Sequence, residues 1–183
     1  VCLSTDNQIW GFQQKRVEFV NPEITSVSGC QDDNYRTLNC PTQGLINITI
    51  QGNNFLQVSN VNLQVKIDNQ VMVCTRFSKK ILSCILLPGS GIDRSIVVTI
   101  GSDSPEVRWL SYAPPVIYKV SGCLDEGNIT QGCSNQNNSQ LIVTGKHFGP
   151  TGANLLVGQA ICQNLVHDEF NPHQILRCQL PPA

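Results

Sequence analysis

LINITIQGNNF, residues 45–55, alternates apolar and polar side chains through Ile46, Ile48 and Ile50, then breaks into Gly52, Asn53, Asn54 and Phe55. A period of two puts the isoleucines on one face of a β-strand and Asn47 and Thr49 on the other. A related pattern returns at 141–148 as LIVTGKHF, with Leu141 and Val143 alternating before Gly145 and Phe148. The offset between the two is 93 residues. The same shift lays Ile24 on Ile117, Val27 on Val120, Gly29-Cys30 on Gly122-Cys123 and Cys40 on Cys133. It also lays Phe19-Val20-Asn21-Pro22 on Tyr112-Ala113-Pro114-Pro115. Past the phenylalanines the register slips, yet VKIDNQVMVC (65–74) still matches LLVGQAIC (155–162), and ILSCILLPG (81–89) matches ILRCQLPPA (175–183). So many same-type matches in one order identify one unit written twice.

The local pattern is strand throughout. Alternation recurs at Val65, Ile67 and at Val71, Val73, with Gly, Asn, Pro and Ser clustered between the runs. No stretch carries a 3.6-residue period. In the first repeat the spacing predicts strands near 23–28, 45–51, 63–68, 71–77, 81–87, 95–100 and 107–112. Seven short strands punctuated by turns predict an all-β fold of tandem immunoglobulin-like antiparallel β-sandwiches.

The 183-residue chain is 40% hydrophobic and only 14% charged, with a formal net charge of −1. This balance gives no electrostatic basis for binding nucleic acid or an anionic membrane. No apolar run approaches the roughly 20 residues of a membrane-spanning helix. VCLSTDNQIW (1–10) is not a signal peptide, and it lacks an initiator Met, so the chain reads as a processed product or an excerpt. Nine cysteines occur without the close CxxC pairs of zinc sites. Three glycosylation sequons accompany them, at Asn47, Asn128 and Asn137. Cysteines and sequons together predict the secretory route, an extracellular or cell-surface location and N-linked glycans.

Gly52-Asn-Asn-Phe55 with VKIDNQVMVC and SCILLPG, and Gly145-Lys-His-Phe-Gly149 with VGQAIC and RCQLPP, resemble the IPT/TIG domain. This is the immunoglobulin-like module of plexin-type receptors and amoebal surface adhesion proteins, with a divergent branch in transcription factors. The resemblance covers residues 22–183 and is cleaner in the second repeat. In the first, IDNQ replaces the usual VGG-like turn and no FG pair follows Phe55.

Equivalent cysteines in the two repeats are expected to pair equivalently. That predicts Cys30–Cys40 and Cys123–Cys133 across the loop after the first strand. It also predicts Cys74–Cys84 and Cys162–Cys178 between neighbouring strands, as the resemblance implies too. Each staple closes a loop of about 10–17 residues, worth on the order of 3 kcal/mol. Cys2 has no counterpart and is read as unpaired or intermolecular. Asn47 is expected to point to solvent, and Asn128 and Asn137 to sit in or beside the second repeat's small disulfide loop.

Residues 22–114 read as a complete module, whereas 115–183 lack the counterparts of RSIVVTI (94–100) and EVRWLSY (106–112). KRVEFVNP (15–22) resembles a final strand, and VCLST (1–5) serves as the strand before it. Residues 1–21 therefore read as the last two strands of a preceding or neighbouring module. Two arrangements fit. The chain is a window from a longer array, or its first 21 residues complete the second repeat of another copy, head to tail.

Catalytic motifs are missing: there is no HExxH, GxSxG, P-loop or strand-borne GxGxxG. Asp32-Asp33 and Asp125-Glu126 read as solvated loop charge rather than a carboxylate pair or cation site. Ser78-Lys79 and His167-Asp168 read as ordinary surface. His147, His167 and His173 stand at unrelated spacings, and Lys79-Lys80 is too short for a basic stripe. The expected function is non-catalytic: an extracellular structural or adhesive glycoprotein without cofactor or metal, whose partners are adjacent modules or copies of itself. The alternative is a receptor ectodomain segment binding another cell-surface protein. Trp10, Phe12, Trp109 and Tyr112 are its candidate anchors, although Trp109 is also suited to packing within its own sandwich.

Overall fold

The computed structural model describes residues 2–5, 8–12, 20–55, 62–134 and 139–180. Every helix or strand element among them is a strand. At the start, β1 (Cys2–Thr5) and β2 (Gln8–Phe12) pair antiparallel as a separate two-stranded sheet. Residues 2–5 thus pair with 8–12; the strand the sequence reading places at KRVEFVNP falls mostly on residues 13–19, which lie outside the described part.

Residues 23–112 then build two facing sheets. The strands are β3 (Glu23–Ser28), β4 (Gln31–Asp33), β5 (Arg36–Cys40), β6 (Asn47–Asn53), β7 (Leu63–Ile67), β8 (Gln70–Met72) and β9 (Cys74–Arg76). They continue with β10 (Ile81–Ile85), β11 (Arg94–Ile100), β12 (Ser102–Asp103) and β13 (Val107–Tyr112). One sheet runs β3-β6-β10-β9; the other runs β4-β5-β13-β11-β7-β8, with β12 on β11. All pairings are antiparallel except β13 with β5, which is parallel. Between the sheets lies one continuous core, in which Ile48, Ile50, Phe55, Val65, Leu82, Ile96, Val98 and Leu110 are fully buried.

Two details depart from the sequence reading. The predicted strand 71–77 is two strands in different sheets: the chain leaves the larger sheet after Met72 and joins the smaller at Cys74, where the Cys74–Cys84 bond ties it to β10. The alternation read at Val71 and Val73 also has the wrong face inward: both are exposed, and Met72 between them is buried, because VMVC is apolar throughout and carries no alternation to read. The segment read as a disulfide loop is a hairpin, β4–β5. Asn34 sits at φ 56° in its turn, a conformation Asn tolerates.

The second half contains β14 (Val116–Ser121), β15 (Leu124–Glu126), β16 (Ile129–Gln131), β17 (Gln140–Lys146), β18 (Leu156–Val157), β19 (Ala160–Ile161), β20 (Gln163–His167) and β21 (Ile175–Gln179). Its sheet β14-β17-β21-β20 repeats the order β3-β6-β10-β9. The hairpin β15–β16 repeats β4–β5, with Gly127 at φ 59° where the first half has Asn34.

The Gly-x-x-Phe motif now has a physical cause. A Cβ on Gly52 would meet Phe55 Cζ at 2.4 Å and the Glu23 carbonyl oxygen at 2.0 Å. On Gly145 it would meet Phe148 Cζ at 2.5 Å and the Val116 oxygen at 2.0 Å. Only glycine lets the strand pass between the ring and the neighbouring backbone.

Candidate interaction surface

In the first half, β13 and β11 lie between β5 and β7 and close the sandwich. Two strands with their neighbours on either side occupy three interstrand spacings, about 14 Å. In the second half the corresponding hairpins, β15–β16 and β18–β19, are separate two-stranded sheets, and no described strand joins them. The consequence shows in burial. Ile24 is 5% exposed and its counterpart Ile117 is 52% exposed. Val27 is buried, and its counterpart Val120 only partly so. Among its described residues the second half has, instead of one core, two small clusters, one around Leu141 with Cys162 and Cys178, the other around Val143 with Phe148 and Leu176.

A groove follows this open face. At the joint between the halves is a cavity of about 400 Å³, walled by Ile92, Tyr112 and Pro115 on one side and by Ile117, Val143 and Phe148 on the other. A second, of about 550 Å³, runs on past Val120, Leu141, Val157 and Leu180. Ile117, Val143 and Leu155 line both, so the two adjoin along the open face. The groove's lining is largely apolar, and among the described residues the strands that border it offer unpaired edges.

All three histidines of the chain sit near the joint. His173 is buried, and its Nδ1 lies 3.1 Å from the hydroxyl of Thr42, itself buried in the first half. His167 Nδ1 is 2.8 Å from the Pro172 carbonyl oxygen, to which it donates when its Nε2 accepts from the Ala153 N–H at 3.3 Å. The Nδ1 of His147 is buried without a hydrogen-bond partner. Burial foremost, then the neighbouring imidazoles, hold His173 below the usual histidine value; burial and Lys146 do the same to His147. Within the first half Tyr112 donates its hydroxyl to the Leu87 carbonyl at 2.8 Å, and burial pushes its pKa up to about 12.

Four disulfides are formed: Cys30–Cys40, Cys74–Cys84, Cys123–Cys133 and Cys162–Cys178. The backbone of Cys2 is in β1, but its side chain, like those of Trp10 and Phe12, lies outside the described part. Asn47 is exposed on β6 and Asn128 is exposed in the β15–β16 turn; Asn137 lies outside the described residues. Trp109 is half-buried against the first core and its ring lies 4.8 Å from that of Tyr35. Ser78 accepts from the Lys80 N–H in a turn, and Asp168 pairs with Arg177 at 3.1 Å rather than orienting His167.

The acidic pairs behave differently from solvated loop charge. Asp32 accepts from the Gly29 N–H at 2.9 Å and from the Thr37 hydroxyl at 2.7 Å, while that hydroxyl accepts from the Cys30 N–H. Asp125 repeats the arrangement with Gly122 and Thr130, and the Thr130 hydroxyl foremost holds its carboxyl below the usual range. Each lock fixes the hairpin beside its disulfide. The signal was present in the sequence, since Asp32 and Thr37 fall on Asp125 and Thr130 at the same 93-residue shift. Asp33 pairs with Arg36, and Glu126 accepts from Gln131.

The model of one domain family, described as the IPT/TIG domain, matches residues 22–113. No curated protein sequence gives a significant match. Among solved structures, the surface glycan-binding protein PbSGBP-B from Prevotella bryantii is similar with a TM-score of 0.51 at 10% identity, over 91% of this chain and 38% of that one. The full extracellular region of Plexin A4 gives a TM-score of 0.43 at 18% identity, over 96% of this chain and 13% of that one. The chain thus spans well under half of either protein. The first likeness is one of fold alone, and the second is too low to carry an argument.

Proposed function

Since the chain belongs to the IPT/TIG domain family, we propose that it is a non-catalytic structural or adhesive glycoprotein of the cell exterior, built of tandem modules. Residues 22–114 form one complete module, and 115–183 form a second that takes its last two strands from outside itself. The donor is an adjacent stretch of a longer chain or residues 1–21 of another copy; the latter generates a head-to-tail filament, because donor and acceptor lie at opposite ends. The single observation that carries this reading is the largely apolar groove bordered by strands with no described partner, which main-chain hydrogen bonds from an added strand pair would complete. Left open, such a face is an aggregation hazard. Four disulfides in a chain of this size support an oxidising compartment.

The test is to place a charge in the groove with Ile117→Asp, and separately to delete residues 1–20. Charge in the groove should abolish end-to-end association, seen by electron microscopy and light scattering, while the first module melts unchanged. Deletion should abolish it only if another copy is the donor. Particles that assemble equally well with Asp at position 117 refute the groove as the contact.

A further inference from the structure

The outer face of the sheet β3-β6-β10-β9 carries a cross-strand row of one sequon asparagine and two exposed aliphatic side chains. Asn47 on β6 is directly opposite Ile85 on β10. Cys84 is opposite Cys74, and the Ile85 N–H donates to the Val73 carbonyl at 2.9 Å, so Val73 continues the row to the sheet edge. Side chains directly opposite one another in a sheet stand about 5 Å apart. Ile85 is 42% exposed and Val73 70% exposed, two aliphatic side chains facing solvent beside a sequon asparagine. The next row inward, Thr49–Ser83–Thr75, is entirely polar.

The second half supplies an internal control. Its corresponding row is Gln140–Gln179–Gln163. There the sequon is gone and the Ile85 position has become glutamine, while the sequence counterpart of Val73 is Ile161, still aliphatic and exposed but outside this row. Two sheets of the same strand order thus differ together at the acceptor and at the residue directly opposite it: asparagine facing isoleucine, or glutamine facing glutamine.

We infer that the first N-acetylglucosamine of a glycan on Asn47 lies along Ile85 and Val73 and covers them. This inference rests on the extracellular glycoprotein reading above, because it needs the chain to meet the glycosylation machinery. In the attachment, Asn47 Nδ2 forms a bond to the anomeric carbon of an oligosaccharide carried on a lipid pyrophosphate. The nitrogen loses one proton and the pyrophosphate-bearing lipid departs, so no oxidant is needed. The sugar then presents its ring C–H face and acetamido methyl, both apolar, at the distance of a cross-strand neighbour. Covering Val73 also screens the edge strand β9, where a bare aliphatic edge invites pairing with another chain.

The test is a double-mutant cycle on protein secreted from eukaryotic cells, with Asn128 and Asn137 replaced by Gln so that only one site remains. Asn47→Gln installs the amide the second half carries. It should lower the melting temperature of the first module by a few degrees, on the order of 4 °C. Ile85→Ser should lower it by a similar amount in the glycosylated protein, and by almost nothing once Asn47 is also replaced. Trimming the glycan to a single N-acetylglucosamine with an endoglycosidase should leave the melt unchanged. Equal, additive losses from the two substitutions would overturn the inference, since the sugar and Ile85 would then be independent. Glycopeptide mass spectrometry of the native chain separates the failures. Glycan on Asn128 with Asn47 bare overturns this inference alone, whereas bare asparagines at every sequon overturn the glycoprotein reading with it.

Discussion

Removing the Phe55 ring should cost the first module about 4 kcal/mol. The ring is fully buried, and its edge packs on Gly52, where even a Cβ would collide with Cζ. A phenylalanine side chain buries about 200 Å², which at ~25 cal/mol per Å² amounts to roughly 5 kcal/mol as an upper figure. Core Phe→Ala changes cost about 3–5 kcal/mol, because the surroundings close only partly over the cavity. For a module of this size each kcal/mol moves the melting temperature by about 4–8 °C, so Phe55→Ala should lower it by more than about 15 °C. Urea denaturation followed by tryptophan fluorescence, in a Trp10→Phe background, reports on the first module through Trp109, which packs against the same core. Phe148→Ala is the comparison. Phe148 shares its cluster with only two other buried side chains, Val143 and Leu176, so its removal should cost less until the groove is filled. A loss below about 1 kcal/mol for Phe55→Ala would show that the ring is not held as described, and would undo the explanation of the Gly-x-x-Phe motif.

Cys74→Ser should destabilise the first module by about 3 kcal/mol by opening a ten-residue staple, while Cys2→Ser leaves its melt unchanged; equal melts for the two variants would contradict the pairing. Asp32→Ala strips two hydrogen bonds from the β4–β5 hairpin and leaves the buried Thr37 hydroxyl without its acceptor, a loss of about 1–2 kcal/mol in the same denaturation assay. No change there would return Asp32 to solvated surface charge. Acidification should weaken the joint. His147 and His173 have depressed folded values, so below about pH 6.5 the unfolded chain binds more protons than the folded one. Stability is therefore intact above that pH and lost as pH falls toward 5, before the depressed carboxyls of Asp125 and Asp168 titrate. The urea midpoint should drop across that window, and His173→Gln should shrink the drop; a midpoint that rises in acid contradicts the sign.

What was legible in the sequence follows from what repeats. The alternation of Ile46, Ile48 and Ile50 and its return 93 residues later specify β6 and β17, their buried faces and the glycine beside each phenylalanine. Short polar strands were not legible: β4 and β5 hold Asp, Asn and Arg, and their pairing comes from a turn and a carboxylate–hydroxyl lock rather than an apolar face. The sheet switch at Val73 escaped because Val71, Met72, Val73 and Cys74 are all apolar, so the run does not say which face is inward. The histidines escaped for another reason. They stand on separate segments of the second half, and only folding brings them to the joint. The groove was foreseeable as two strands without counterparts, but that its two cavities adjoin at Ile117, Val143 and Leu155 is a property of the fold. The Asn47–Ile85–Val73 row needed the strand register, since its members are 38 and 26 residues apart along the chain.

The most direct test of the central claim is a high-resolution image of the native assembled particle at the second module's open face. The account predicts two antiparallel strands filling the space between β16 and β18. By analogy with β11 on β7 and β13 on β5, one should run antiparallel to β18 and the other parallel to β16. Their inward side chains should rest on Ile117, Val143 and Leu155. A groove filled only by solvent in the intact particle, or capped by anything other than strands, would contradict it.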